Sequence, residues 1–294
     1  MSPGIVTVRS FQIGDLEAAT VFCEAARAKD PAIEPFSQRL SVIATGTRAV
    51  LPLWRVAAGE DGELYGIAFT ALRESAVQPT FDFYAAVHPA LRRQGLGRAL
   101  AEPALACGAV LRVRVRDDSE PGRAFLNALG FVETGAQLSL HWNGKAKPQM
   151  PPMPALRIRA ATAARDQATL KRLSTEAWAG APDTFASRAD EIAQLFGDDG
   201  RVALIAESEG KVLGYLAGVQ LGSTLGIEEV AVLPDFRRMG IGRALVAHAL
   251  RHEQGAVLSV SEANKPARAL YKSLGFSQTA RRIVLELRPG GGQR

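Results

Sequence analysis

Cysteine is almost absent from this sequence. Cys23 and Cys107 are the only two in 294 residues, too few for a disulfide framework. With four scattered histidines they are also too few for a metal-ligand cluster, and no metal is expected. No stretch approaches 18 apolar residues without a charge, which excludes a membrane-spanning helix. The opening MSPGIVTVRSF lacks a basic segment followed by an apolar one, so no secretory signal is expected and a reducing cytoplasm is the expected location. Basic runs interleaved with aromatics are missing too, and with them the footprint of a nucleic-acid binder.

What is present is a globular composition, 47% hydrophobic and 22% charged, with enough apolar material for a sizeable core and too much for disorder. The length suggests two domains or one large one. The net charge of +5 is uneven. Residues 1–144 hold fourteen basic against fifteen acidic residues, whereas residues 155–294 hold nineteen against fifteen. An excess confined to one half fits a small anionic ligand better than a polyanion.

The chain repeats itself. VHPALRRQGLGRAL at 87–100 returns as VLPDFRRMGIGRAL at 232–245, an offset of 145. The same offset carries Pro121 to Pro266, Arg123-Ala124 to Arg268-Ala269, and Leu129-Gly130-Phe131 to Leu274-Gly275-Phe276. VTVRSFQIGD and LRIRAATAARD match near the two starts. Two domains, 1–144 and 156–294, are expected around a Pro- and Lys-rich linker at 145–155.

Each half predicts the same element order. A short strand (7–11; 157–160) leads into a helix with a second helix behind it. Two strands follow (50–57 and 64–71; 202–208 and 211–220), joined by a tight Gly-bearing turn. Next come a strand (81–87; 226–232), a glycine turn, a helix and a strand (110–115; 256–260). A last helix ends at Gly130 or Gly275, followed by more strand. The fold class is α/β, a mixed sheet flanked by helices, written twice.

The glycine turn carries the first functional signal. In the second half, Arg237-Arg238-Met239-Gly240-Ile241-Gly242-Arg243 opens a helix directly after a strand. A helix N-terminus leaves N–H groups unpaired and carries partial positive charge, so it attracts phosphate. Gly240 and Gly242 have no side chains to keep a pyrophosphate from the backbone. A glycine-eased turn with solvated arginines is the bland alternative, but two copies in the same context argue against it.

With NKPARALYKSLGF following VAVLPDFRRMGIGRAL, the sequence resembles the GNAT acyltransferase superfamily over both halves. The resemblance implies a twisted mixed sheet in each half, with two central strands splaying around acetyl-CoA. It implies that Val230, Ala231 and Val232 bind the pantetheine arm through their backbone, that Arg237, Arg238, Met239, Gly240, Ile241, Gly242 and Arg243 cradle the pyrophosphate, and that Asn264 helps hold the cofactor. It also implies N-acetyl transfer to a primary amine, with Glu229 as base and Tyr271 as acid. Glu228 and Glu229 are neighbours on a strand, so only one faces the cleft. Trp178, Asp183 and Phe185 fall in the region that lines the acceptor pocket in this family, and are equally plausible as packing residues.

The first half departs from the pattern. Tyr271 maps onto Leu126, Asn264 onto Ser119, and Glu229 onto Tyr84, while Pro103 enters the helix after the glycine turn. Arg92, Arg93, Gln94, Gly95, Gly97 and Arg98 persist, so this half is expected to be catalytically silent, whether or not it keeps CoA. Tandem organisation with a degenerate first half resembles mycothiol synthases. The S-E-A-N segment at 261–264 equally resembles enzymes that acetylate ribosomal-protein N-termini. The acceptor is thus a small-molecule amine or a protein N-terminus, and a monomer or weak dimer is expected. The competing class is a non-catalytic acyl-CoA sensor or scaffold.

Overall fold

The computed structural model describes residues 5–30, 33, 40, 43–46, 49–73, 78–149, 153–179, 192–193, 195–197 and 200–290. The chain forms two compact units, Met1–Gly135 with Arg282–Arg294, and Ala136–Arg281.

Unit 1 opens with β1 (Val6–Ser10) and α1 (Leu16–Lys29), then β2 (Arg55–Gly59), β3 (Leu64–Leu72) and β4 (Thr80–Val87). It continues with α2 (Leu96–Leu105), β5 (Val110–Arg116), α3 (Glu120–Ala128) and the start of β6 (Val132–Trp142). Its strands run β1-β2-β3-β4-β5 and continue to the last strand of the chain, β12 (Ser277–Leu287), whose Ile283–Leu287 pair antiparallel with Leu111–Val115 of β5. The expected strand at 50–57 begins late: Leu51–Leu53 form a 3-10 turn and β2 starts at Arg55. Pro52 lacks the N–H that a ladder position needs.

Unit 2 repeats the plan with β7 (Arg157–Ala160), α4 (Ala163–Trp178), β8 (Arg201–Ser208), β9 (Lys211–Leu221) and β10 (Thr224–Val232). Then come α5 (Ile241–Ala249), β11 (Gly255–Ser261), α6 (Lys265–Ser273) and the first residues of β12. Its strand order is β6-β11-β10-β9-β8-β7, with Gln137–Trp142 of β6 on Ala256–Ser261 of β11. The strands β6 and β12 thus each run from one unit into the other. In both halves the second helical stretch falls largely outside the described residues.

The apolar pattern explains the layers. β9 reads KVLGYLAGVQL, nearly continuous in apolar residues, because both of its faces are covered. Leu213 packs with α5, while Tyr215 and Ala217 pack with α4. Gly218 lets β10 come close: a Cβ there would lie 2.4 Å from the Gly226 carbonyl oxygen. An arginine-carboxylate staple ties the first strand of each unit to the helix after it. Arg9 meets Asp15 with two 2.7 Å bonds, and Arg159 meets Asp166 with two 2.8 Å bonds. Asp166 also accepts from Thr162 N, and Glu207 joins Arg159 at 3.0 Å.

Candidate active site

The two central strands of unit 2 form a fork. β10 and β11 run parallel and pair from Thr224–Ile227 to Gly255–Leu258. Beyond that they part: β10 follows β9 as far as Val232, and β11 follows β6 as far as Ser261. The pairing of β10 with β11 thus ends at Ile227, and a fork of this kind suits an extended ligand.

A bulge decides what faces this fork. Ile227 pairs with Gly218 and Glu229 with Ala217, so Glu228 is the extra residue. Before the bulge, Leu225 and Ile227 enter the core under α5 and α6. After it, Val230 and Val232 pack on that core, and Ala231 belongs to the cluster under α4. The bulge therefore turns Glu229 away from the apolar core, to the α4 side. There Trp178 Nε1–H donates to Glu229 Oε1, and Ser174 Oγ donates to the same oxygen at 3.4 Å. Glu228 is exposed and held by Arg201 at 2.8 Å. Asp183 and Phe185 lie outside the described residues.

The glycine turn closes the outer end of the fork. Pro234–Phe236 make a 3-10 turn, Arg238 has φ 65°, and Gly240, with φ 87°, caps the start of α5. This left-handed conformation favours glycine. Gly242 has room: a Cβ there would meet Leu270 Cδ2 at 3.5 Å. Met239 is exposed, Ile241 is buried, and Arg243 Nη1 donates to Ser273 Oγ at 2.8 Å. Arg237 is exposed, but its guanidinium bonds back to the chain. Its Nε donates to Val232 O at 3.2 Å, and its Nη2 to Ala177 O.

Across the fork, Asn264 caps α6, its Oδ1 accepting from Ala267 N at 3.1 Å. Tyr271 on α6 shares the core with Ile241 and Leu245, its ring set edge-on to Phe276 at 5.5 Å. Burial pushes its phenol up to about 12, so it keeps its proton at neutral pH. Among the described residues no group of His, Cys, Asp and Glu could hold a metal, and no helix is long and apolar enough to cross a membrane.

The acetyltransferase (GNAT) family model matches residues 168–276, from within α4 to just past α6. The chain is 31% identical over 224 residues to a mycothiol acetyltransferase of Thermobifida fusca, covering 65% of this chain and 69% of that protein. The chain belongs to the GNAT family of N-acetyltransferases. A mycothiol acetyltransferase of Clavibacter sepedonicus is 29% identical over 270 residues, 85% of each chain. Two solved structures share the fold over 97% of the chain. A GCN5-related N-acetyltransferase from Sphaerobacter thermophilus has a TM-score of 0.71 at 20% identity and is covered to 96%. A tandem GNAT protein from the clavulanic acid biosynthesis pathway has a TM-score of 0.72 at 18% identity and is covered to 99%.

Unit 1 keeps the fork but has other side chains at the matching positions. β4 and β5 pair only from Thr80–Asp82 to Val110–Arg112. Arg93 has φ 65°, and Gly95, with φ 81°, caps α2. But β3 and β4 pair without a register shift, so there is no bulge. Tyr84, at the Glu229 position, stacks on Phe69 at 4.6 Å. Leu126 is buried where Tyr271 stands in the other unit, and the Ser119 side chain makes no capping bond. Gln94 Nε2 donates back to Ala90 O at 3.4 Å, and Gly97 lies against Phe125, which a Cβ would meet at 3.0 Å. Arg98 lies in the first turn of α2. Sequence reasoning missed Ser174 and the bulge. Both left a signal: Ser174 is one helical turn before Trp178, and the apolar period slips from 225 and 227 to 230 and 232.

Proposed function

We propose that the chain transfers an acetyl group from acetyl-CoA to the primary amine of a small molecule, with the chemistry in the C-terminal unit. The bulge carries this reading, because it turns Glu229 to the α4 face in the unit that also holds a protonated Tyr271. The residues fit the cofactor. A fork whose two strands stop pairing after Ile227 suits the pantetheine arm, and Gly240 and Gly242 leave the α5 N-terminus open to a pyrophosphate. Val230 to Val232 would hold the arm, Arg238 and Arg243 would add positive charge, and bound acetyl-CoA supplies the activated acetyl thioester. Glu229 would take the proton of the attacking amine, directly or through water. A backbone N–H near Val230 would donate to the thioester carbonyl oxygen. Tyr271 Oη would give its proton to the departing thiolate sulfur. The relatives' name, mycothiol acetyltransferase, supports a small mycothiol-related amine as acceptor.

Calorimetric titration with acetyl-CoA, followed by thiol release in the presence of candidate amines, tests this. Saturable binding and amine-dependent thiol release are expected. Tyr271→Phe should lower turnover by about 10²–10⁴-fold with little change in acetyl-CoA affinity. Binding without turnover on any amine would instead support an acyl-CoA sensor, and no binding would end both readings.

A further inference from the structure

Arg237 opens the glycine turn, yet its side chain is engaged on two carbonyls. Nε donates to Val232 O, at the end of the strand that carries Glu229. Nη2 donates to Ala177 O, in the last turn of α4. The next residue, Trp178, donates its Nε1–H to Glu229. A closed ring results: Arg237 to Ala177, along the chain to Trp178, across to Glu229, and along β10 back to Val232. The last carbonyls of a helix lack intrahelical partners, and a cation there also meets the negative end of the helix dipole. The guanidinium thus adds a fixed point to the α4 end that carries Trp178.

The same tie exists in unit 1, which makes it a property of the turn rather than an accident of one side chain. Arg92 Nε donates to Val87 O at 3.3 Å, and its Nη2 meets Asp30, the residue that caps α1, at 2.8 Å. There the tie ends on a helix with no carboxylate to aim, since Tyr84 stands at the Glu229 position. In unit 2 the tied helix end carries the Glu229 partner itself.

We propose that Arg237 is a positioning residue: it fixes the end of α4, and through Trp178 the carboxylate of Glu229, instead of binding phosphate. The proposal rests on the reading of Glu229 as the base. It also makes the glycine turn a joint between the cofactor side of the fork and the acceptor side, because one end of the same short segment holds α4 and the other opens α5.

The test compares wild type, Arg237→Ala, Arg237→Lys and Trp178→Phe, by acetyl-CoA titration, by kcat and KM for an amine, and by hydrogen exchange of the last turn of α4. Arg237→Ala should bind acetyl-CoA within about threefold of wild type. Its kcat should fall by about tenfold or more, since small misplacements of a reacting group cost this much. The amides at 174–178 should exchange faster. Arg237→Lys should restore part of kcat, because one ammonium reaches a carbonyl but lacks the two-armed fork. Trp178→Phe should lower kcat without changing exchange at Arg237 or in α4. Loss of acetyl-CoA affinity by tenfold or more with kcat at saturation intact would make Arg237 a phosphate ligand and overturn the proposal. Unchanged exchange in α4 would overturn it as well. If the wild type acetylates no amine, the reading of Glu229 as base fails, and the exchange experiment alone still decides whether the tie exists.

Discussion

Asp166 is 2% exposed, yet the Arg159 guanidinium and Thr162 N hold its carboxyl below the usual range. A carboxyl whose folded pKa lies below its unfolded value of roughly 3.9 stabilises the fold above that value. The contribution is lost as pH falls through the folded pKa. Unfolding midpoints should therefore drop as pH is lowered from about 5 toward 3. Asp166→Asn should be less stable at neutral pH by about 3 kcal/mol, because Arg159 is left buried with less charge to meet it. Its stability should also depend less steeply on pH in the acid range, as read by denaturant unfolding at several pH values. The sister staple makes the contrast. Arg9 is 41% exposed, so Asp15→Asn should cost about 1 kcal/mol or less.

The strand β10 and the turn after it show what one added residue and two glycines do. Gly242→Ala meets only ordinary contact at 3.5 Å, so it should melt like wild type while binding acetyl-CoA less tightly, by about tenfold or more, if the backbone there approaches the pyrophosphate. Gly240→Ala is different: at φ 87° the substitution should cost about 1–2 kcal/mol before any ligand is considered. Melting curves beside calorimetry separate the two effects. Equal loss of stability in both would mean that the turn's role is conformational alone. At this scale most of the fold was legible in the sequence. The 145-residue offset carries the fork, the glycine turn and the helix after it, since each depends on local pattern. The bulge was harder, because two adjacent glutamates, Glu228 and Glu229, stand at the slip and local pattern does not say which of them is the extra residue. The partners of Arg237 were not legible at all. Ala177 lies 60 residues away, and nothing local distinguishes an arginine that turns back to a carbonyl from one that faces a ligand.

At the scale of the whole molecule, the sequence repeat and the compact units divide the chain differently. The repeat counts β6 with the first copy and β12 with the second, whereas Ala136–Trp142 pack in unit 2 and Arg282–Leu287 in unit 1. A fragment covering residues 1–150 would lack Ile283 and Leu285, both buried against Leu111, Val113 and Val115. Losing two such side chains costs on the order of 5 kcal/mol, comparable to the stability of a small domain. It also leaves β5 as an open apolar edge. Fragments 1–150 and 153–294 should therefore aggregate or melt far below the full chain when made alone, and recover on co-expression. A lone fragment that is monomeric and melts at the full-length temperature would show that each half closes by itself. The same feature sets an order on synthesis. Val113 pairs with Leu285, so β5 leaves the ribosome about 170 residues before its neighbour. Loop closure over that span adds little entropy beyond that of a shorter one, but it cannot happen early. Unit 1 has to wait, with an apolar edge uncovered, until translation has passed Leu287. A message cut short anywhere before Arg282 thus leaves unit 1 without the strand that covers β5.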